Sequence, residues 1–258
     1  MRRKFIDLNV IVDELIHNEA HLAHLVKLLH GLGFHGAALS VSAPSKLSLL
    51  KEAIRRLPKD IELFTRLDIT TESTAQLLKL LSKFRRSAEV ICVHCVNGRI
   101  ASLAARDRRV DLISFDPLSH VGFLPSHASL AKEQGQAVLE IPFWSVLGTR
   151  NPLVWERVHR WIRIARDYSL PIVLSSGANN IWRLRAPKDM SALLVLLGLT
   201  KEEALDSISS IPYRIISRNM HKLQESFVAP GIKVTGRGEP YEIQEKIRGI
   251  QNYKPPEP

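Results

Sequence analysis

The chain has 258 residues, 45% of them hydrophobic, so it is long enough to bury a full core as one α/β domain. It shows no bilayer-spanning apolar run and no signal-peptide pattern, and its two cysteines are too few for a disulfide framework. We therefore expect a protein of the reducing cytoplasm and exclude the secreted and membrane-spanning classes.

The formal net charge of +10 has three candidate explanations. A phosphate backbone is the first candidate, an anionic membrane surface the second, and solubility alone the third. Aromatic residues make up only 6% of the chain, which favours arginine and lysine contacts to phosphates over base stacking.

Short apolar runs alternate with helical patterns along most of the chain, a rhythm typical of repeated β-α units with parallel strands. The predicted strands are Phe5 to Val10, Gly36 to Val41, Ile61 to Ile69, Glu89 to Val93, Asp111 to Phe115, Ala137 to Ile141 and Ile172 to Ser175.

Three helices have clear boundaries in the sequence. Apolar residues recur at steps of three and four from Leu47 to Leu57 and predict an amphipathic helix. Asn151 and Pro152 predict the start of another, which runs to about Tyr168. A capping box from Thr200 to Glu203 opens a late helix, which we expect to end near Pro212.

No eighth strand follows Ser175, so the pattern predicts a single-domain, distorted TIM-like (β/α) barrel of about seven parallel strands over residues 1–219. An open doubly wound sheet is the alternative. Residues 220–258 contain several prolines and glycines, and we expect them to form a basic C-terminal extension.

Polar residues at the predicted strand ends could form an active site, because the carboxyl ends of the strands are the working face of a barrel. They are Asp7, Asn9, Arg66, Asp68, His94, Asp116 and Glu140. One hypothesis is a divalent-metal site for hydrolysis, built on Asp7, Asp68, His94 and Glu140. The alternative is that these groups satisfy one another, Arg66 pairing with Asp7 or Asp68. A single histidine at the strand ends favours the second interpretation, so no metal or catalytic residue is expected.

Cys92 and Cys95 resemble half of a zinc or redox site, but residues three apart on a strand point to opposite faces, so we expect two buried structural thiols. The glycine-rich phosphate loops and the nucleophile elbow are absent from the sequence.

Basic residues form three groups. Arg99, Arg106, Arg108 and Arg109 surround the helix after the fourth strand, and Arg157, Arg160, Arg163 and Arg166 line one side of the next long helix. The third group is Arg183, Arg185 and Lys188, in the loop after the seventh strand beside Trp182. A charge run is usually a solvated face, but the excess of positive groups in three places indicates phosphate contacts.

The same loop carries a family resemblance. The segment Ile172-Val-Leu-Ser-Ser-Gly-Ala178, the pattern Arg185-x-Pro187-x-Asp189 and the run Leu196-Leu-Gly-Leu199 resemble the third protein component of archaeal ribonuclease P and its eukaryotic ribonuclease P and MRP relative. Further agreement comes from Phe5 to Asn9, Thr65 to Asp68 and Ala105 to Leu112.

The resemblance implies a fold like that of metal-dependent phosphatases of the polymerase-and-histidinol-phosphatase type. Those enzymes place His-x-His on the first strand, where this chain has Asp7-Leu-Asn9. The implied function is a non-catalytic subunit that stabilises the ribonuclease P RNA during 5′-leader removal from precursor tRNA. The RNA would use Mg²⁺, and a smaller ferredoxin-like subunit would be the protein partner. We expect the RNA or partner to contact Arg66, Arg99, Arg106, Arg109, Arg183, Arg185 and Lys188.

Overall fold

The structure is a computed structural model that describes residues 3–223, 227–229 and 232–233. Seven parallel strands form one sheet in sequence order: β1 (Phe5–Ile11), β2 (Phe34–Val41), β3 (Glu62–Thr70), β4 (Val90–His94), β5 (Leu112–Ser114), β6 (Val138–Pro142) and β7 (Ile172–Ser175). A parallel bridge between Val10 and Ala178 brings the two outer strands together. The sheet is therefore a nearly closed barrel. The doubly wound alternative is wrong. A doubly wound sheet reverses its strand order at one point, whereas β1 to β7 lie side by side in the order of the sequence.

Helices surround the barrel: α1 (Glu19–Gly31), α2 (Leu47–Arg56), α3 (Thr74–Phe84), α4 (Gly98–Arg106), α5 (Pro125–Glu133), α6 (Phe143–Leu147), α7 (Pro152–Asp167), α8 (Pro187–Leu196), α9 (Lys201–Asp206) and α10 (Ser210–Leu223). Short 3-10 helices span Pro44–Lys46 and Ile181–Arg183. The predicted caps are confirmed, since Asn151 accepts from the Leu153 N–H at 3.0 Å and Thr200 forms a capping box with Glu203. Within the described ranges, no helix combines the length and the apolarity needed to cross a membrane.

The predicted end of the late helix is wrong. That helix, α9, ends at Asp206, and Pro212 lies in the first turn of the separate helix α10. Proline is tolerated there because N–H groups in a first turn have no intrahelical acceptor.

The core has two layers. The larger one lies between the sheet and the outer helices, and the smaller one fills the barrel. Ile215, Ile216 and Met220 of α10 belong to the inner layer and pack with Ile6 and Val90 near the amino-terminal ends of the strands. Helix α10 therefore closes that end of the barrel and leaves the opposite end to polar side chains.

The expected boundary at residue 219 falls inside α10, which continues to Leu223. Beyond it, β8 (Phe227–Ala229) and β9 (Ile232–Lys233) form a short antiparallel pair. The rest of the expected extension lies outside the described residues.

Candidate functional site

Arg66 is the centre of the polar layer at the carboxyl ends of the strands. Its side chain is fully buried on β3, where alternate residues point into the barrel. Both of its terminal nitrogens contact the Glu140 carboxylate, with Nη2 to Oε2 at 2.8 Å, and Nη1 also donates to the Leu8 carbonyl at 2.9 Å. Its Nε donates to Asp68 Oδ1 at 2.7 Å. One guanidinium thus neutralises two buried carboxylates.

The charges around Arg66 fix the protonation of its neighbours. Burial alone would raise the pKa of Asp68, but Arg66 and His94 outweigh it and lower that pKa to about 2. Burial would lower the pKa of His94, but the Asp68 carboxylate, which accepts a hydrogen bond from the imidazole and carries a negative charge, reverses this and raises the pKa. Burial raises the pKa of the Cys92 thiol well above its ordinary value. The cluster is an ionised carboxylate, a readily protonated imidazole and a neutral thiol.

Three of these groups come close enough together to suggest a metal site, since donor atoms of Asp68, Cys92 and His94 lie within 4.8 Å of one another. Their chemistry does not fit a catalytic divalent cation. The Cys92 thiol contacts Glu140 at 3.4 Å, and burial raises its pKa well above the ordinary value, which opposes formation of the thiolate that a metal would bind. The Arg66 guanidinium already holds both Glu140 oxygens and one oxygen of Asp68. Arg66 supplies the positive charge that a metal would bring.

The structure does not bring the other predicted strand-end residues into this cluster. Asp116 is exposed and accepts from the Leu118 N–H at 2.9 Å in the turn after β5. Asn9 accepts from the Ser40 hydroxyl at 2.9 Å. Asp7 faces the junction between β1 and β7. The expectation that Arg66 pairs with Asp68 is confirmed, and its pairing with Glu140 was not foreseen.

The segment from Ser175 to Ala178 joins the two outer strands. The Ser175 hydroxyl donates to Glu140 at 2.7 Å, and the Ser176 N–H donates to Asp7 Oδ1 at 3.0 Å. The Gly177 N–H donates to the Asn9 carbonyl at 3.0 Å. Gly177 has φ +62, a conformation that favours glycine. Each residue of the Ser-Ser-Gly-Ala motif therefore has a structural role in closing the barrel.

Asp7 is buried with an incomplete set of partners. Its Oδ1 accepts from the backbone of Asn9 and Ser176, while Oδ2 has no hydrogen-bond partner within the described part of the chain. Burial raises the pKa of this carboxyl to about 6, against the lowering effect of the two N–H donors. The seam of the barrel thus contains a carboxyl group that changes charge near neutral pH.

The structure corrects the predicted contact set at Arg66. Its side chain is enclosed, and its donors are engaged by Glu140, Asp68 and Leu8, so it faces neither RNA nor a partner. The sequence places Arg66 on a strand two residues before Asp68, but this spacing does not show whether the guanidinium is exposed or buried. The other six residues of the set remain predictions.

The loop after β7 is ordered around Trp144, which the sequence reasoning did not single out. The guanidinium carbons of Arg183 and Arg185 lie 5.5 Å and 5.1 Å from the Trp144 ring centroid. The Trp144 Nε1–H donates to the Arg183 carbonyl at 2.6 Å, and Arg185 Nη1 donates to the Trp182 carbonyl at 2.8 Å. Cations above an aromatic face are attracted by its quadrupole. Trp144 lies just after β6, at the carboxyl ends of the strands, and this position was the feature of the sequence that could have indicated its role.

This loop presents its cations to solvent. Arg183 and Lys188 are exposed, Arg185 is partly buried by its contacts, and Trp182 is 79% exposed. Leu184 between them is buried and anchors the loop. The loop therefore offers a positive surface, held by Trp144 and Leu184.

The other basic groups are partly engaged. Exposed Arg99 and Arg106 line a groove of about 480 Å³ between α3 and α4, whereas Arg109 pairs with Asp107 at 2.7 Å. On α7, Arg157 and Arg166 donate to the backbone carbonyls of Pro117 and Gly198 at 2.7 Å and 3.0 Å. Arg160 and Arg163 are exposed. The predicted burial of both thiols is confirmed, with Cys92 inside the barrel and Cys95 in the outer layer.

These features define a class: a seven-stranded α/β barrel whose strand-end cavity is filled by an internal ion-pair network and whose outer loops are basic. The family model described as "RNase P subunit p30" matches residues 4–224, and the chain belongs to this family.

The curated relatives agree. The chain is 31% identical over 225 residues to ribonuclease P protein component 3 of Methanosarcina barkeri, covering 83% of this chain and 90% of that protein. It is 31% identical over 218 residues to the protein of the same name from Methanosarcina mazei, covering 81% and 87%.

Solved structures share the fold. A chain in a cryo-EM structure of archaeal ribonuclease P with mature tRNA superposes with a TM-score of 0.75 at 21% identity, covering 90% of this chain and 98% of that one. A crystal structure described as a prolidase from Bifidobacterium longum gives a TM-score of 0.61 at 10% identity, covering 96% and 84%.

Proposed function

We propose that this chain is a protein subunit of ribonuclease P that binds and stabilises the catalytic RNA for 5′-leader removal from precursor tRNA. Membership of the p30 family, the name of the curated relatives and the archaeal ribonuclease P neighbour support this assignment. The bond cleavage itself belongs to the RNA, which uses Mg²⁺, and this chain contributes no catalytic residue or resident cofactor.

One observation carries the non-catalytic role: Arg66 fills the strand-end cavity. A barrel hydrolase needs an open position there for a metal or water. Here the guanidinium contacts Glu140 and Asp68 directly, so the carboxylates of the site are already neutralised inside the protein. The surface chemistry lies in the basic loops instead.

The RNA-binding role is carried by the loop of Arg183, Arg185 and Lys188. Two arginine planes held over Trp144 keep the loop in one arrangement, so that less entropy is lost when it docks. Arginine recognises phosphate through its planar set of donors. Exposed Arg99 and Arg106 provide a second positive area between α3 and α4, and Arg109 lies just beyond it.

The partners are the ribonuclease P RNA, a smaller ferredoxin-like protein subunit and, indirectly, precursor tRNA, with no membrane involved. A protein partner is supported by exposed large apolar side chains in or beside the loops after β5, β6 and β7. They are Leu118, Leu124, Leu147, Leu153 and Trp182, each at least 41% exposed. Such a cluster favours a protein contact over solvent. Two buried free thiols support a location in the reducing cytoplasm.

Ultraviolet crosslinking of the purified protein to its cellular RNA, followed by peptide mapping, tests the proposal. We expect crosslinks to the ribonuclease P RNA in peptides that contain Arg183 to Lys188. In parallel, the protein alone with Mg²⁺ or Mn²⁺ should not cleave precursor tRNA, and adding it to the RNA and its partner subunits should raise cleavage. Chelator-sensitive hydrolysis by the protein alone would support the metal-dependent hydrolase instead.

A further inference from the structure

A cavity of about 370 Å³ opens at the amino-terminal end of the barrel, opposite the loop of Arg183 to Lys188. It lies between α10 and the segments that lead into β6 and β7, with the end of α5 on one side. Neither the sequence patterns nor the family resemblance directs attention to this end of the molecule.

The lining of the cavity is positively charged. Lys132, Arg214 and Arg218 are among the lining residues, and none of the described lining residues is acidic. Lys132 and Arg214 are exposed, so their cationic groups are accessible to a ligand. Arg218 is partly buried and holds Asp111 at 2.7 Å, which fixes its position at the wall.

Several positively charged side chains also lie behind this wall of the cavity. The single buried carboxylate of Asp111 is shared by Arg218 and, at 3.5 Å, by Arg85. Lys222 lies beside them and donates to Gln136 at 2.8 Å. Burial, together with the neighbouring positive charges of Arg218 and Arg85, lowers the pKa of Lys222 to about 8. Two arginines and a lysine therefore lie around a single buried carboxylate behind this wall.

A backbone feature points to the same place. Ser169 has φ +54 and is the non-glycine residue with positive φ in the described part of the chain. It follows the end of α7, where the Leu170 N–H returns to the Ala165 carbonyl at 2.8 Å, a position that glycine usually occupies. Ser169 lines the cavity. A serine in this strained position adds a hydroxyl donor where glycine would add none.

We propose that this cavity binds a phosphate group, held by Lys132 and Arg214, with Arg218 fixed at the wall by Asp111. Phosphate suits this lining because Lys132 and Arg214 are exposed cations and none of the described lining residues is acidic. The group belongs either to an RNA backbone or to a free anion. The cavity is separate from the loop of Arg183 to Lys188; its RNA-backbone alternative rests on the proposed function, whereas its free-anion alternative does not.

The first experiment titrates the full-length protein with inorganic phosphate and follows the amide resonance of Ser169 by NMR. We compare the wild type with the double variant Lys132→Gln, Arg214→Gln. The matched control is Lys51→Gln, Lys59→Gln, which removes the same charge at exposed positions on α2 and just after it. We expect a saturable shift that weakens roughly tenfold or more in the cavity variant, as expected for losing charge-assisted hydrogen bonds, and stays unchanged in the control.

The second experiment separates the two sources of phosphate by chemical acetylation of Lys132 with and without the bound ribonuclease P RNA. Protection by RNA that is lost on adding excess phosphate assigns an RNA phosphate to the cavity. An unprotected lysine with an intact phosphate response assigns a free anion. A phosphate response that does not saturate, or that weakens equally in both double variants, overturns the proposal and leaves the RNA-binding function untouched.

Discussion

The backbone N–H of Ser176 donates to the carboxylate of Asp7 at 3.0 Å across the junction between the last and the first barrel strand. These two residues are far apart in the chain, and regular strand pairing at the junction is limited to the bridge of Val10 and Ala178. The Asp7 side chain therefore replaces part of the missing ladder. In the structure Asp7 accepts hydrogen bonds from Asn9 on β1 and from Ser176, which directly follows β7.

The raised pKa of Asp7 makes stability depend on pH. A carboxyl whose folded pKa is about 6, above its unfolded value of 3.8, contributes stability in its protonated form, and this is lost as pH rises through 6. Asp7→Asn keeps the acceptor without the charge. We expect its free energy of unfolding, relative to wild type, to improve by about 2 kcal/mol between pH 4.5 and pH 7.5. Urea unfolding at both pH values measures this.

Asp7→Ala provides the contrast, because it leaves two buried N–H groups without an acceptor. We expect a loss of about 2–4 kcal/mol at pH 4.5 from that cause. Equal pH profiles for wild type and Asp7→Asn would show that Asp7 does not titrate in this range.

Replacing Arg66 should destabilise the protein strongly. Arg66→Met leaves Glu140 and Asp68 buried without their counterion, which costs about 3–5 kcal/mol. The double variant Arg66→Met, Glu140→Leu removes one of the stranded charges and should recover a large part of the loss. Denaturant unfolding gives both values, with Arg55→Met on the exposed face of α2 as the control, expected within about 0.5 kcal/mol of wild type. If Arg66→Met unfolded with the same free energy as wild type, Arg66 would not be required for the fold and would again be a candidate contact residue.

Charge reversal in the loop after β7 should impair assembly without unfolding the protein. Arg183→Glu with Lys188→Glu places two negative charges on exposed positions. We expect RNA affinity to fall by more than tenfold, roughly 1.4 kcal/mol or more, while the melting temperature stays the same. Lys51→Glu with Lys59→Glu is the control for net charge. Unchanged affinity would move the contact area to Arg160 and Arg163 on α7.

Arg185→Lys tests the shape of the guanidinium separately from its charge. Lysine keeps the positive charge but has a single side-chain nitrogen, so it cannot stay close to the Trp144 ring and also donate to the Trp182 and Leu184 carbonyls as the guanidinium does. We expect weaker RNA binding and increased backbone motion in the loop, measured by NMR relaxation. Full function of this variant would show that charge alone is sufficient at this position.

Salt dependence should report the number of phosphate contacts. Each neutralised phosphate releases counterion, so the affinity for RNA falls steeply with added salt. Neutralising Arg183 and Lys188 by Gln should reduce the slope of log K against log salt concentration by about 1.5–2. Filter binding over a range of KCl concentrations measures it, and a wild-type slope near zero would contradict an electrostatic interface.

The fold was predictable because its signals are local. Strand β7 was placed to the residue, since the apolar run from Ile172 begins after Pro171 and ends at a polar segment. Helix α7 was placed by the cap at Asn151. The error at Pro212 arose because the sequence does not distinguish a proline that ends one helix from one that begins the next.

The site was less predictable because its contacts are distant in sequence. Arg66 and Glu140 lie 74 positions apart, and nothing near either residue identifies the other. Trp144 holds Arg183 across 39 positions. The cavity lined by Lys132 and Arg214 combines four segments, each of which resembles an ordinary solvated surface.

The closure of the barrel through Ser176 has a consequence for synthesis. Strand β1 leaves the ribosome first, and its neighbour β7 is translated on the order of ten seconds later. During that interval β1 has an open edge, and open edges pair readily with other chains. A carboxylate at Asp7 discourages such pairing in the nascent chain. We therefore expect the charge that weakens the finished barrel above pH 6 to disfavour edge pairing while the barrel is incomplete.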